Sequence, residues 1–222
     1  MFYSATYTSP LGKITLVCNE THLLELTLET QQSRLKEKTE WIDEKEISEP
    51  QKKKVKANLA EENTIDARAN FTNKNVEGVL AQASYEKEAV KLHALQLLGA
   101  VFCWLDAYFD GKDPDPNRLP LAPQGSAFRQ MVWKELLKIP CGQTTTYGAI
   151  AGTIAKKLHK EKMSARAVGG AVGHNPIAII IPCHRVVGSD GSLTGYAGGL
   201  DMKRRLLRHE QEFYVSSRVG TK

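Results

Sequence analysis

A thiol, an imidazole and a guanidinium stand in a row at Cys183-His184-Arg185, directly after an Ile-rich run over 177 to 181 and Pro182. Strand interiors favour Val and Ile, and turns favour Gly or Asp, so neither explains that triplet. A free Cys alone is usually a small buried hydrophobe; between Pro182 and His184-Arg185 the chemical reading is the stronger one. With an ordinary pKa of about 8.5, only a few per cent of a thiol is thiolate at neutral pH. A nucleophilic Cys183 therefore needs a base. His184 is nearest, but neighbours in an extended segment point to opposite sides, which favours a water between them. Glu210, in the helical stretch 201 to 210, offers a carboxylate that would fix the imidazole tautomer. The resulting Glu, His, water, Cys relay follows the logic of other hydrogen-bonded triads.

The elements that hold these groups follow from periodicity. Residues 2 to 8 and 13 to 18 read as strands around a turn at Ser9-Pro10-Leu11-Gly12, and 23 to 28 is a third strand. From 31 to 75 the pattern dissolves into Lys, Glu, Asn and Thr, which predicts a mobile or loosely helical polar insertion. Val90, Leu92, Leu95, Leu98, Val101, Phe102, Leu105 and Phe109 have helix spacing over 85 to 109, and Asp110-Gly111 stops it. The prolines of 111 to 124 make that stretch an extended linker and a domain boundary. Beyond it, Ser126, Thr146 and Ser164 are placed to cap helices over 127 to 137, 147 to 158 and 165 to 172, the last two in a helix-turn-helix order. Ala165, Ala167, Gly169, Gly170 and Ala171 admit close approach of another surface; tight internal packing explains them equally well. Gly173-His174-Asn175-Pro176 is a turn, and 177 to 181 reads as the buried strand that delivers Cys183.

At 222 residues, one large or two modest domains fit the chain. Hydrophobic residues at 41% and charged residues at 25% match a soluble globular protein and exclude the disordered class. No apolar run approaches the roughly eighteen residues of a membrane span, and the N-terminus lacks the pattern of a signal peptide. A cytoplasmic monomer with no membrane partner is expected. Cys18, Cys103, Cys141 and Cys183 form no C-x-x-C pair and read as free thiols. Cys18 and His22, with His93 or Cys103, lack the ligand spacing of a zinc site, so no metal is assigned. Residues 125 to 222 hold 15 Lys and Arg against 6 Asp and Glu, net +9, while 1 to 124 hold 15 against 19, net −4. The basic half carries Cys183, as a binder of phosphate backbones would arrange it, although a basic solvated surface is the commoner reason.

Pro182-Cys183-His184-Arg185-Val186 closely resembles the active-site signature of the O6-alkylguanine-DNA alkyltransferases, also called methylated-DNA–protein-cysteine methyltransferases. Residues 142 to 148 (GQTTTYG), 164 to 170 (SARAVGG), 173 to 176 (GHNP), 196 to 199 (YAGG) and 206 to 210 (LLRHE) follow in the family's order. Residues 8 to 12 and the segment 104 to 109 (WLDAYF) are similar too. The resemblance is highly specific over roughly 102 to 210. It implies an α+β fold: a small N-terminal sheet-plus-helix domain, 1 to 110, then an α-rich domain, 125 to 222, with a helix-turn-helix. It implies DNA repair by a single-turnover methyltransferase, in which the alkyl group moves from O6 of a flipped guanine in double-stranded DNA to Cys183, without a cofactor. O4 of thymine is an open second target.

By the same resemblance, His184 acts through a bound water, Glu210 orients it and Asn175 supports the active-site turn. Tyr147 would place its hydroxyl at guanine N3 and help the base depart. The main chain of Cys183 and Val186 would accept from the exocyclic amine, the Ala197 amide would donate to O6, and Tyr196 would line the pocket. Arg166 would fill the stack left by the extruded nucleotide, on a helix whose Ala165, Ala167, Gly169 and Gly170 face the minor groove. Arg185 either holds a phosphate or braces the loop. Two departures stand out: a longer, basic helix-turn-helix connection over 155 to 162, and the polar stretch 31 to 75. Competing readings are a lesion binder without transfer, against which Cys183 speaks; a transcription regulator, which would read the major groove with more polar residues than this helix carries; and a cysteine hydrolase, which would turn over.

Overall fold

The computed structural model describes residues 1–31, 39–43, 47 and 78–219, with side chains from 88 to 213 in the last stretch. Strands β1 (Phe2–Ser9) and β2 (Gly12–Cys18) form an antiparallel hairpin in which Ser9 faces Gly12. Gly12 sits at φ 110°, a region closed to most side chains. The Ser9 hydroxyl donates to the Gly12 carbonyl and accepts from the Leu11 amide, which closes the turn. Strand β3 (Leu23–Leu28) lies antiparallel to β2, and β4 (Thr39–Trp41) parallel to β1, in the order β3-β2-β1-β4.

Strand β4 corrects the reading of 31 to 75 as a mobile or loosely helical insertion. Its three residues pair through main-chain groups with β1, and Ile42 and Ile47 follow it into the core. Backbone pairing, which composition does not encode, defines so short an edge strand. Apart from these and Asp43, the residues of that stretch from 32 onward lie outside the described ones.

Helix α1 (Gly78–Phe109) packs on β1 and β2 and begins earlier than the expected 85. Ala94, Leu98, Val101, Phe102 and Leu105 are buried along it, and the Tyr7 hydroxyl donates to Asp106 at 2.8 Å. By length and composition alone Glu88–Phe109 is apolar enough to cross a bilayer. Lys91 and Asp106 interrupt it, so no continuous apolar run marks it, and most of it is buried as the core helix.

All six residues of β3 are buried because its outer edge is closed by two segments of the other half. Leu23 exchanges main-chain hydrogen bonds with Pro120 and Ala122 of the linker, and Leu26 with Pro176 and Ala178. An open strand edge is thereby converted into the seam that holds the turn after Asn175.

Helices α2 (Ala127–Leu136), α3 (Tyr147–Lys157), α4 (Ala165–Gly173) and α5 (Leu200–Val219) complete the α+β fold. Ser126, Thr146 and Ser164 cap the first three, their hydroxyls accepting from Arg129, Ala149 and Ala167 amides. Such caps are each worth about 1 kcal/mol. Trp133, 1% exposed, donates from its indole to the Ala171 carbonyl at 2.9 Å and locks α2 to α4. Strand β5 (Thr145–Thr146) pairs in parallel with β6 (Val186–Val187), so the entrance to α3 is tied to the chain just past Cys183.

Residues 177 to 181 are not the strand that their Ile-rich pattern predicts. Ile177 makes one bridge to Leu26, and the chain then turns, with Ile180 and Ile181 amides bonded to Ala178 and Ile177 carbonyls. All five residues are buried. A segment enclosed on every side is apolar whatever its backbone does, so periodicity cannot identify it. Ile179 sits at φ 66°, an uncommon conformation for a β-branched residue that costs roughly 1–3 kcal/mol and that close packing must hold.

Candidate active site

Cys183–Arg185 form one turn of 3-10 helix, entered from Pro182. Cys183 and His184 are therefore neighbours on a tight turn and not on an extended segment. Both are buried, His184 completely. Asn175 reaches across this turn: its Nδ2 donates to the Ile177 and Ile181 carbonyls and lies 3.1 Å from Cys183 Sγ, while its Oδ1 accepts from the Ile177 amide. One amide group thus fixes the loop and places a donor on the sulfur, where it favours the thiolate.

His184 Nε2 donates to Glu210 Oε1 at 2.7 Å. Arg185 grips the same carboxylate through Nε and Nη2, at 2.9 to 3.1 Å, and donates from Nη1 to the Ile139 carbonyl. The Tyr108 hydroxyl and the Gly142 amide complete the ring of donors around Glu210. Burial alone would raise the Glu210 pKa, but His184 and Arg185 outweigh it and hold the carboxyl well below its ordinary range. Burial pushes the His184 imidazole down, against the pull of Glu210. Arg185 is a fixed cation, so Glu210 is ionised with His184 neutral. With its proton on Nε2, the neutral imidazole has its lone pair on Nδ1, which is buried and has no hydrogen-bond partner among the described residues. The open role of Arg185 resolves into a brace: a guanidinium 7% exposed and spent on Glu210 and Ile139 is no phosphate ligand.

A third cluster closes the other side. Lys203 on α5, fully buried, donates from Nζ to the Val186 carbonyl at 2.6 Å and to the Thr194 carbonyl at 2.8 Å. The Tyr147 hydroxyl donates to the same Thr194 carbonyl at 3.0 Å, with Gly195 O at 3.4 Å. Here the structure differs from expectation: the Tyr147 hydroxyl is bound to the protein's own main chain, and the Val186 carbonyl already accepts one hydrogen bond. A carbonyl has a second lone pair, so Val186 keeps capacity for another donor, whereas Tyr147 must exchange Thr194 for any base it meets. Burial raises the Tyr147 pKa, partly offset by the Thr194 contact, with nearby Cys183 adding to the rise. Tyr196 is half-buried, its hydroxyl enclosed and its pKa driven well up by burial and then by Cys183 and Glu210; Ala197 is exposed beside it.

Lys203, Tyr108, Gly142 and Ile139 escaped the sequence reading. Lys203 had a signal: Lys203, Leu206 and Glu210 recur at the spacing of one helix face, and all three are buried. The donors at Gly142 and Ile139 are backbone groups and carry no sequence mark.

Arg166, Ala165, Ala167 and Gly170 lie on the exposed face of α4, while Val168, Ala171 and Val172 face inward. Gly169 faces the Tyr147 ring, which a Cβ would meet at an ordinary 3.7 Å, and a Cβ on Gly170 would meet nothing within 4 Å. Internal packing therefore does not explain either glycine. Arg166 has no ion pair among the described residues.

A family model described as the ribonuclease-like domain of 6-O-methylguanine DNA methyltransferase matches residues 2–123, and one described as that protein's DNA binding domain matches 127–212. The chain belongs to the 6-O-methylguanine DNA methyltransferase family. A methylated-DNA–protein-cysteine methyltransferase of Methanosarcina mazei is 54% identical to this family member over 107 residues, 48% of this chain and 64% of that relative. One of Haemophilus influenzae is 46% identical over 110 residues, 50% of this chain and 59% of the relative. The aligned part thus spans less than two thirds of those two. One of Shigella flexneri is 43% identical over 131 residues, 59% and 74% of the two chains. The crystal structure of Mycobacterium tuberculosis OGT in complex with DNA covers 95% of this methyltransferase-family chain and 94% of its own, at 33% identity and a TM-score of 0.58.

Proposed function

We propose that this chain repairs DNA by moving the alkyl group from O6 of guanine irreversibly to its own Cys183. The observation that carries the reading is the sulfur itself: Cys183 Sγ lies 3.1 Å from the Asn175 donor, and its neighbour His184 is bound through Nε2 to an ionised Glu210, which leaves Nδ1 as a buried base.

The steps balance as follows. The thiol proton passes through a water to His184 Nδ1, and Glu210, kept ionised by Arg185, balances the charge that forms on the ring. The thiolate attacks the alkyl carbon, so the S–C bond forms as the C–O6 bond breaks. The departing base takes a proton from the Tyr147 hydroxyl, released from Thr194, the His184 imidazolium returns the thiol proton to the tyrosinate through water, and the base leaves as neutral guanine. A thioether has no leaving group that water displaces at neutral pH, so the protein acts once. O4-methylthymine presents the same kind of carbon and is a second candidate lesion.

Duplex DNA reaches the site across the open face of α4, with Arg166 entering the stack in place of the flipped nucleotide. Gly170 is consistent with this, since a Cβ there would meet nothing within 4 Å and the face stays open to an external surface. The relatives' names, and a solved neighbour described in complex with DNA, point the same way.

Incubation with O6-methylguanine duplex should raise the mass of the Cys183 peptide by one methylene, with one equivalent transferred per molecule. Cys183→Ala should abolish transfer and keep binding. An unmodified Cys183, or many lesions cleared per molecule, would sink the assignment.

A further inference from the structure

Between Gly142 and Ser189 the chain holds six Lys or Arg and a single acid, Glu161. Two of the six are bound inside the fold: Arg185 on Glu210, and Lys157 on Glu135 of α2, which Lys138 also holds. Lys156, Lys160, Lys162 and Arg166 are exposed and form no ion pair among the described residues. Lys160 and Lys162 sit in the connection from α3 to α4, which is a short arch. Leu158 caps α3, and His159 reverses the chain at φ 51°, its amide on the Lys156 carbonyl and the Lys160 amide on the Ala155 carbonyl. That pair of bonds is a helix-ending motif in which Gly commonly takes the place of His159. Leu158 and Met163 pack on the core at the two ends of the arch, and the four residues between them are all exposed. The two lysines are thus held on a fixed backbone just ahead of the helix whose open face carries Arg166. Arg166 follows Lys160 by six residues, at most about 20 Å of chain. Each DNA strand carries one phosphate per about 3.4 Å, so that reach is about six base pairs.

On the reading that duplex DNA docks across α4 with Arg166 in the stack, we propose that Lys160 and Lys162 grip backbone phosphates on one flank of the lesion, within about six base pairs of it. The arch precedes only one end of α4, so it serves one flank and not both. Phosphate contacts carry no sequence information; they hold the protein on undamaged duplex and fix its orientation there. Glu161, between the two lysines, repels the same phosphates and moderates the grip.

The first measurement uses the full chain and a fluorescent duplex without a lesion, so that no transfer step enters. The double variant Lys160→Gln, Lys162→Gln should flatten the slope of log K against log salt by about 1.8, at about 0.9 per phosphate. Raising salt from about 50 to about 200 mM should then weaken the unaltered chain about tenfold more than the variant. Both positions are exposed, so the fold should survive, which thermal denaturation checks. Lys157→Gln removes an equal charge from a lysine tied to Glu135 and should change the slope much less. Glu161→Gln should tighten binding. The second measurement follows methyl transfer to Cys183 from O6-methylguanine duplexes trimmed to about two base pairs on one side, short of the reach of the arch. Trimming the gripped flank should slow the unaltered chain more than the double variant, and trimming the other should slow both alike. A salt slope untouched in the double variant would overturn the proposal, as would an equal loss from Lys157→Gln, or trimming costs that match in the two proteins on both sides. A Cys183 left unmodified by every lesion duplex would instead remove the transfer reading, while the slopes on undamaged duplex still decide the grip.

Discussion

Lys203 Nζ donates to the Val186 carbonyl at 2.6 Å, and through a second bond to Thr194 it fastens the strand that follows Cys183 to the loop that also receives Tyr147. One ammonium thus joins two segments that flank Cys183. Burial pushes the Lys203 pKa below its ordinary value, while Cys183 pulls it up, so a thiolate and this ammonium support each other.

Lys203→Met removes both bonds and the charge. The loss of hydrogen bonds to a buried charged donor should cost about 2 kcal/mol, read by chemical denaturation. Because the thiolate also loses a cation, the rate of Cys183 alkylation by free O6-benzylguanine should reach its plateau at a higher pH than in the unaltered protein. A stability loss with no alkaline shift would leave Lys203 as a purely structural clamp.

Arg185 matters through its shape as well as its charge. It holds Glu210 with two nitrogens and Ile139 O with a third, so Arg185→Ala leaves a buried carboxylate without its fixed counter-ion, a loss of about 3–5 kcal/mol. Arg185→Lys restores the charge and not the fork, and should recover only part of that. Thermal denaturation of the two variants checks the order.

Acid should weaken the fold in two stages. His184 binds a proton less readily in the folded chain than its ordinary value of 6.5, and Glu210 less readily than 4.5. The unfolded chain therefore binds more protons than the folded one at acid pH, so stability falls as pH falls. The His184 contribution is present above about pH 6.5 and erodes below it, and the Glu210 contribution erodes below about 4.5. Denaturant midpoints measured from pH 8 to 4 test this. In Glu210→Gln the lower stage should vanish.

The α4 face makes a prediction that separates docking from chemistry. Arg166→Ala should slow repair in duplex DNA about tenfold more than reaction with free O6-benzylguanine. A Cβ at the exposed Gly170 meets nothing within 4 Å, so Gly170→Leu should keep free-base reactivity while obstructing the duplex. Equal slowing on both substrates would place these residues away from the DNA.

Much of this molecule was legible along the chain. The caps at Ser126, Thr146 and Ser164 were readable because a side-chain hydroxyl next to an amphipathic run acts within three residues of itself. Strands β1 to β3 were readable because alternation and a Pro-Gly turn are local as well. The run over 177 to 181 misled because its apolar character reports enclosure by two halves of the protein and not the path of its own backbone. β4 was hidden for the opposite reason: its partner, β1, lies far back in sequence, and the pairing runs through main-chain atoms.

The types of the groups proposed for the transfer, Cys183, His184, Asn175 and Glu210, are a property of the sequence, since chemistry needs a particular atom at a particular position. What those atoms do to one another is not. That Arg185 braces Glu210, that Lys203 joins Val186 to Thr194, and that β3 carries the turn of Asn175 all depend on groups brought together from distant parts of the chain. Hydrogen bonds and charge pairs act over a few ångströms, and only folding sets distances on that scale.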